Sequence, residues 1–213
     1  MRKGLILLFV SLFMTSVGMA QQDAKAKEIL DKVSAKTEGY KSIQAEFTFS
    51  LVNEEEDMND TYEGKIKIKD LKYKLDLMGA ETYFNGEIVA TYLADANEVN
   101  IAYPDEEMEE MLDPSKLFSI YENGFKYKMA EGVTKADVFV IDLFPEDESK
   151  NYSRIRIDID KSNYQIKRAE MDSNDGNKYV IVVKSMKTEE DLPDTVFNFD
   201  KSKHEGVIEN DMR

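Results

Sequence analysis

The spacing of apolar positions changes period just after the start of the chain and again near its middle. From Asp23 to Tyr40 the apolar residues Ala26, Ile29, Leu30, Val33 and Tyr40 recur at helical spacing, which predicts one amphipathic helix. Gly39 stands near its end, where a helix stop often takes positive φ. After it the period is two. Ile43, Ala45, Phe47, Phe49 and Leu51 alternate with polar residues. So do Tyr62, Gly64, Ile66 and Ile68 with Glu63, Lys65, Lys67 and Lys69, and Tyr73, Leu75 and Leu77 with Lys72, Lys74 and Asp76. One apolar and one solvated face per strand is the pattern of half-buried antiparallel pairing. The acidic run Glu54–Asp60 interrupts it without a period of its own.

Asn85–Gly86 is a two-residue hairpin signal, and it separates the predicted strands Thr82–Phe84 and Ile88–Leu93. Glu98–Tyr103 follows, and the regularity stops at Pro104. Asp113–Pro114 then supplies an N-cap and first-turn pair for an apolar helix containing Leu117, Phe118, Ile120 and Tyr121, closed by Asn123–Gly124. Strands are predicted to resume at Phe125–Met129, Val138–Phe144, Ser153–Asp160, Tyr164–Asp172, Lys178–Met186 and Thr195–Phe199. The fold class that follows is mainly β (α+β). An antiparallel sheet of about 11 strands has two helices to cover its apolar face, so it must curl over itself or over them.

Ahead of the first helix, Arg2 and Lys3 precede an apolar run from Leu5 to Met14 and the small residues Ser16, Gly18 and Ala20. That order is expected of a secretory signal peptide at residues 1–20, cleaved near Ala20, and the run is short for a membrane span of about 20 residues. Residues 21–213 then form a single exported domain. The chain carries a net charge of −15, and loss of Arg2 and Lys3 makes it more acidic still. No basic footprint is available to displace counterions from phosphates, so nucleic-acid binding is excluded. Cysteine is absent, which removes disulfides, thiolate metal sites and thiol nucleophiles.

The remaining chemistry is sparse. No P-loop, Gly-x-Ser-x-Gly or His-Glu-x-x-His pattern is present. The single histidine, His204, stands in a charged tail and reads as solvent-exposed. Asp172–Gly176 resembles a calcium loop only briefly, because Val183 occupies the twelfth position; Asn174–Asp175–Gly176 reads as a hairpin turn, and Asp158 and Asp160 as strand-end acids. Carboxylate pairs for glycoside hydrolysis are too easily drawn from 43 acids to be a signal. Such an enzyme would hold an acidic cluster in a polar cleft, whereas a binding protein would keep its acids outside an apolar cavity. The Met- and aromatic-rich middle segment (Met108, Met111, Leu112, Phe118, Tyr121) suits an adaptable apolar surface. No catalytic residue, cofactor or metal is expected.

The ordered set of motifs from about residue 24 to 210 resembles the periplasmic lipoprotein carriers of the LolA type. The pieces are Ile29–Val33 leading to Ser42–Thr48, Gly64–Lys69, Asn85–Gly86 before Tyr92, Pro114–Phe118, the hairpin Asp158–Tyr164, and Val196–Phe199 as the last strand. The resemblance implies an unclosed β-barrel covered by an N-terminal helix and a central helical lid. Its apolar cavity would take the acyl chains of lipoproteins from an inner-membrane release complex and pass them to an outer-membrane acceptor. The carrier itself would be a monomer. Another apolar cargo on the same fold (free lipid, glycolipid or isoprenoid) is the alternative. By the matched strands Phe47, Phe49, Ile66, Ile68, Tyr73, Leu75, Leu77 and Tyr92 would line the cavity, with Leu117, Phe118 and Tyr121 from the lid. Proteobacterial-type members carry a lid-binding arginine after the Gly-containing strand; here Lys69-Asp70-Leu71-Lys72 contains none, which leaves Lys69 as the substitute latch.

Overall fold

The computed structural model describes residues 23–104 and 124–213. The predicted lid residues Leu117, Phe118 and Tyr121 lie outside them. Helix α1 (Ala24–Glu38) turns Ala26, Ile29, Leu30 and Val33 inward, while Lys27–Asp31 and Glu28–Lys32 pair along its exposed side. Asp23 caps it, accepting from the N–H groups of Lys25 and Ala26. Its second oxygen accepts from Met129 N–H at 3.0 Å, on a distant strand. These donors, Met129 foremost, hold the Asp23 carboxyl below the usual carboxylate range. Gly39 closes the helix at φ −79°, so the expected positive φ is not used there.

Twelve strands follow among the described residues: β1 (Ile43–Asn53), β2 (Met58–Lys69), β3 (Lys72–Leu77), β4 (Ala80–Phe84), β5 (Val89–Leu93), β6 (Glu98–Ala102), β7 (Phe125–Met129), β8 (Val138–Pro145), β9 (Tyr152–Asp160), β10 (Ile166–Ser173), β11 (Lys178–Lys187) and β12 (Ile208–Asp211). They form one sheet in the order β12-β6-β5-β4-β3-β2-β1-β11-β10-β9-β8-β7. Two meanders are thus joined by β1 against β11, and the edges β7 and β12 do not pair with each other. The sheet is unclosed, as the resemblance implied.

The acidic run after β1 is shorter than its composition suggested. β1 and β2 pair as far as Asn53 opposite Met58, and the Asn53 side chain caps the turn by accepting from Glu55 and Glu56 N–H. Asn85–Gly86 is part of a longer turn, since Phe84 pairs with Val89. There only Gly86 has positive φ, at +97°, and the Asn85 side chain accepts from Glu87 and Ile88 N–H.

The C-terminal part corrects the sequence reading twice. The stretch predicted as a last strand is a 3₁₀ turn at Asp194–Phe197, following Pro193 and placing Phe197 in the interior at 1% exposure. The last strand is instead β12, which lies parallel to β6; its sequence Ile-Glu-Asn-Asp has no alternation to announce it. Between β11 and β12 the chain crosses one end of the sheet as a strap. Ser42 Oγ donates to Glu190 O (2.6 Å), Lys69 Nζ to Asp191 Oδ1 (2.9 Å) and Leu192 O (2.7 Å), Lys72 Nζ to Asp194 (2.6 Å) and Asn85 Nδ2 to Asn198 (3.0 Å). Leu192 and Phe197 are buried beneath it. Lys69 is therefore bound to the strap.

Candidate binding face

Strand register sorts every side chain onto one of two faces, because residues paired across strands share a side. Val183, Phe47, Gly64 and Leu77 form one row across β11, β1, β2 and β3. Met186, Ala45, Ile66 and Leu75 form the next, and Ile43, Ile68 and Tyr73 a third. Phe49 lies between Ile181 and Tyr62 and stacks at 6.2 Å on Tyr179. The same face continues through Ala169 and Met171, Ile155 and Ile157, Ile141 and Leu143, to Tyr127 and Met129 on β7.

Helix α1 covers part of this face, and all these residues except Gly64 belong to one hydrophobic cluster. Phe47, Phe49, Ile66 and Ile68, expected to face a cavity, are buried in this cluster, while Tyr73, Leu75 and Leu77 are half-buried against it. Half of the face comes from β7–β11, which the residue-by-residue resemblance did not reach although the alternation in those strands is plain. Tyr127, Met129, Met171, Tyr179, Ile181, Val183 and Met186 are among the partly open members there.

Tyr92 corrects the expectation. It pairs with Glu81, which pairs with Asp76, so it projects from the opposite face. There it packs with Tyr83, Ala90, Val99 and Val207 in a second cluster. Phe199 lies 5.4 Å and His204 4.2 Å from the Tyr92 ring. His204 is accordingly half-buried, not the exposed tail residue its neighbours suggested. The local pattern hid both, because Ala90 and Tyr92 are apolar and so are Val89 and Leu93 on the other side of β5.

Buried acids also stand on that opposite face. Asp142 receives both Arg156 Nε (2.6 Å) and an Arg156 terminal nitrogen (2.8 Å). Asp158, two residues before the end of β9 and buried, pairs with Lys135 at 2.5 Å. Glu170 pairs with Arg168 and Arg154; burial opposes its ionisation, but these cations hold its carboxyl below the usual range. The apolar row Ile141–Ile157–Ala169 has no acid in it. Among the described residues no three His, Asp or Glu side chains converge as a metal site, and no helix is long and apolar enough to cross a membrane. The arrangement offers apolar contact on one face and ion pairs of buried acids on the other.

No curated protein sequence matches this chain. Its fold is similar to that of an uncharacterized conserved protein from Thermus thermophilus, with TM-score 0.56 and 12% identity over 87% of this chain and 98% of that one. It is also similar to a LolA superfamily protein from Nitrosomonas europaea (TM-score 0.46, 15% identity, 82% and 98% covered) and to LprF from Mycobacterium bovis (TM-score 0.45, 11% identity, 81% and 99% covered). The model of the family described as outer membrane lipoprotein carrier protein LolA matches residues 16–175. With three quarters of its length in that match and an unclosed sheet around one helix, the chain belongs to the outer membrane lipoprotein carrier protein LolA family.

Proposed function

We propose that this protein is a periplasmic carrier. It shelters the acyl chains of lipoproteins on the apolar inner face and moves them from an inner-membrane release complex to an outer-membrane acceptor. The observation that carries this reading is the continuous apolar face from β7 to β3, covered among the described residues by a single helix, in a chain of the LolA family. Each methylene of an acyl chain costs about 0.8 kcal/mol to keep in water, so a lipoprotein crossing the periplasm needs such a shelter. The half-buried positions Tyr73, Leu75, Leu77 and Val183 are where cargo meets the wall, and the deeper Phe47 and Ile66 shape the floor. The protein acts by binding and release, without catalysis or cofactor. Residues 1–20 are its export signal.

The test is competition for the purified mature domain between a fluorescent acyl probe and three ligands: a triacylated lipopeptide, the same peptide without lipid, and a phospholipid. Displacement by the lipopeptide alone is the expected result. Displacement by phospholipid as well would make the protein a general lipid carrier. A probe that never binds would reduce the apolar face to ordinary core and remove the reading's physical basis.

Release should not depend on Lys69, since its ammonium is engaged with Asp191 and Leu192 O in the strap. Lys69→Ala is expected to speed amide exchange across residues 189–194 while leaving the rate of probe release unchanged. Faster release with unaltered exchange would return Lys69 to the role of lid latch.

A further inference from the structure

One row of the inner face changes character part-way across the sheet. Met186, Ala45, Ile66 and Leu75 are apolar, and the same row then continues as Thr82 on β4, Thr91 on β5, Asn100 on β6 and Asn210 on β12. The change falls between β3 and β4. The polar row lies between two others on these strands, Phe84, Val89 and Ala102 on one side and Ala80, Leu93 and Glu98 on the other, so it is set within a largely apolar surface that becomes charged only at Glu98. All four polar residues are half-buried. Among the described residues neither threonine hydroxyl has a hydrogen-bond partner. Asn210 Nδ2 donates to Asn100 Oδ1 at 3.0 Å and to Glu98, which engages the Asn100 oxygen with β12 and leaves its amide N–H groups without a partner among the described residues.

The row therefore offers hydroxyls and an amide, uncharged, able both to donate and to accept, in line with the apolar floor. Strands stand about 4.8 Å apart, so four of them make a polar strip about 14 Å long. An extended peptide of about four residues has that length. It also presents N–H and C=O groups that need partners whatever its side chains are. A phosphate head group fits poorly: the carboxylate nearest the strip is Glu98, and the chain is strongly acidic.

We infer that the row Thr82–Thr91–Asn100–Asn210 binds the backbone of the peptide arm that follows the acylated residue of a lipoprotein cargo. This rests on the carrier reading above and adds a second half to its site. Acyl chains lie over β1–β3 and β7–β11, and the first residues of the polypeptide leave across β4–β6. Recognition through backbone groups lets one carrier accept cargoes of unrelated sequence.

Two ligands separate the halves: a triacylated cysteine amide, and the same group extended by four uncharged residues. In the wild-type protein the extension is expected to tighten binding about tenfold, equivalent to about 1.4 kcal/mol, as two neutral hydrogen bonds would give. The double substitution Thr82→Val and Thr91→Val keeps shape and β-branching but removes both hydroxyls. It is expected to abolish the tenfold gain and leave the affinity for the acylated cysteine unchanged, whereas Thr82→Ser with Thr91→Ser keeps the gain. No gain in the wild type, a gain that survives in the valine variant, or a gain conferred instead by a sugar head group on the same chains would overturn the inference and leave the carrier reading standing. If the acylated cysteine itself does not bind, the carrier reading fails and takes this one with it.

Discussion

Gly64→Ala is expected to destabilise the protein, although alanine in a strand ordinarily stabilises relative to glycine by about 0.5–1 kcal/mol. The reason is the row Val183–Phe47–Gly64–Leu77. The outer end of the Phe47 ring covers Gly64, and a Cβ there would stand 2.3 Å from Phe47 Cζ and 2.5 Å from Cε2. Phe47 is 4% exposed, so its ring can move only into its neighbours or outward from the apolar face. Gly64 does not have positive φ, which makes the effect one of space and not of backbone strain. Overpacking of this kind costs about 1–3 kcal/mol, a fall in melting temperature of about 2–4 °C for each kcal/mol in a domain of this size. Phe47→Leu in the same background should recover part of the loss, and the double-mutant cycle should show a coupling of at least about 0.5 kcal/mol. The displaced ring should also weaken acyl binding. A Gly64→Ala protein as stable as the wild type would show that the ring is free to leave.

This row shows what the sequence could disclose. Alternation in Ile43–Leu51, Tyr62–Lys69 and Lys72–Leu77 is enough to place Phe47, Ile66 and Leu75 on one face, since period two leaves no other choice. It could not say which face of β5 is the inner one. Both Val89 and Leu93 on one side and Ala90 and Tyr92 on the other are apolar, because the C-terminal chain brings Phe199 and His204 to cover the outer side. A contact between residues more than a hundred positions apart leaves no local trace. The same holds for Lys69, whose partners Asp191 and Leu192 lie 122 and 123 residues away, and for β12, which is a strand only because the edge of β6 is there to receive it.

The two faces divide the work in a way composition could not show. The acids that make the chain so negative are, where buried, closed into pairs with Arg156, Lys135 and Arg168 on the outer side. Breaking one such pair would leave a buried charge without compensation, whereas the pair itself adds little to stability. Its consequence is to keep these charges off the apolar rows of β1–β3 and β8–β10, where a carboxylate would repel an acyl chain; Glu98, on the same face, stands farther along at β6.

Leu75→Glu puts a carboxylate there, and it is expected to abolish acyl binding while leaving a cooperatively folded protein. Leu75 lies in mid-strand between Ile66 and Thr82 and is half-buried. In the empty protein a longer acidic side chain can turn toward Thr82 and solvent, so the fold tolerates it. With cargo in place the same carboxylate must lose its water to the acyl chain, at a cost of several kcal/mol. Each 1.4 kcal/mol is a factor of ten in affinity, so a loss of at least about 100-fold is expected. The sign with pH follows: burial beside acyl chains favours the neutral acid and raises its pKa. Binding by the variant should therefore recover as pH falls toward about 5, over a range where the wild type stays flat. Tyr92→Ala is the opposing control, lowering stability by emptying the outer cluster while leaving acyl binding intact. Full binding by Leu75→Glu at neutral pH would mean that cargo lies elsewhere on the protein, and loss of binding by Tyr92→Ala at full stability would place it on the outer face.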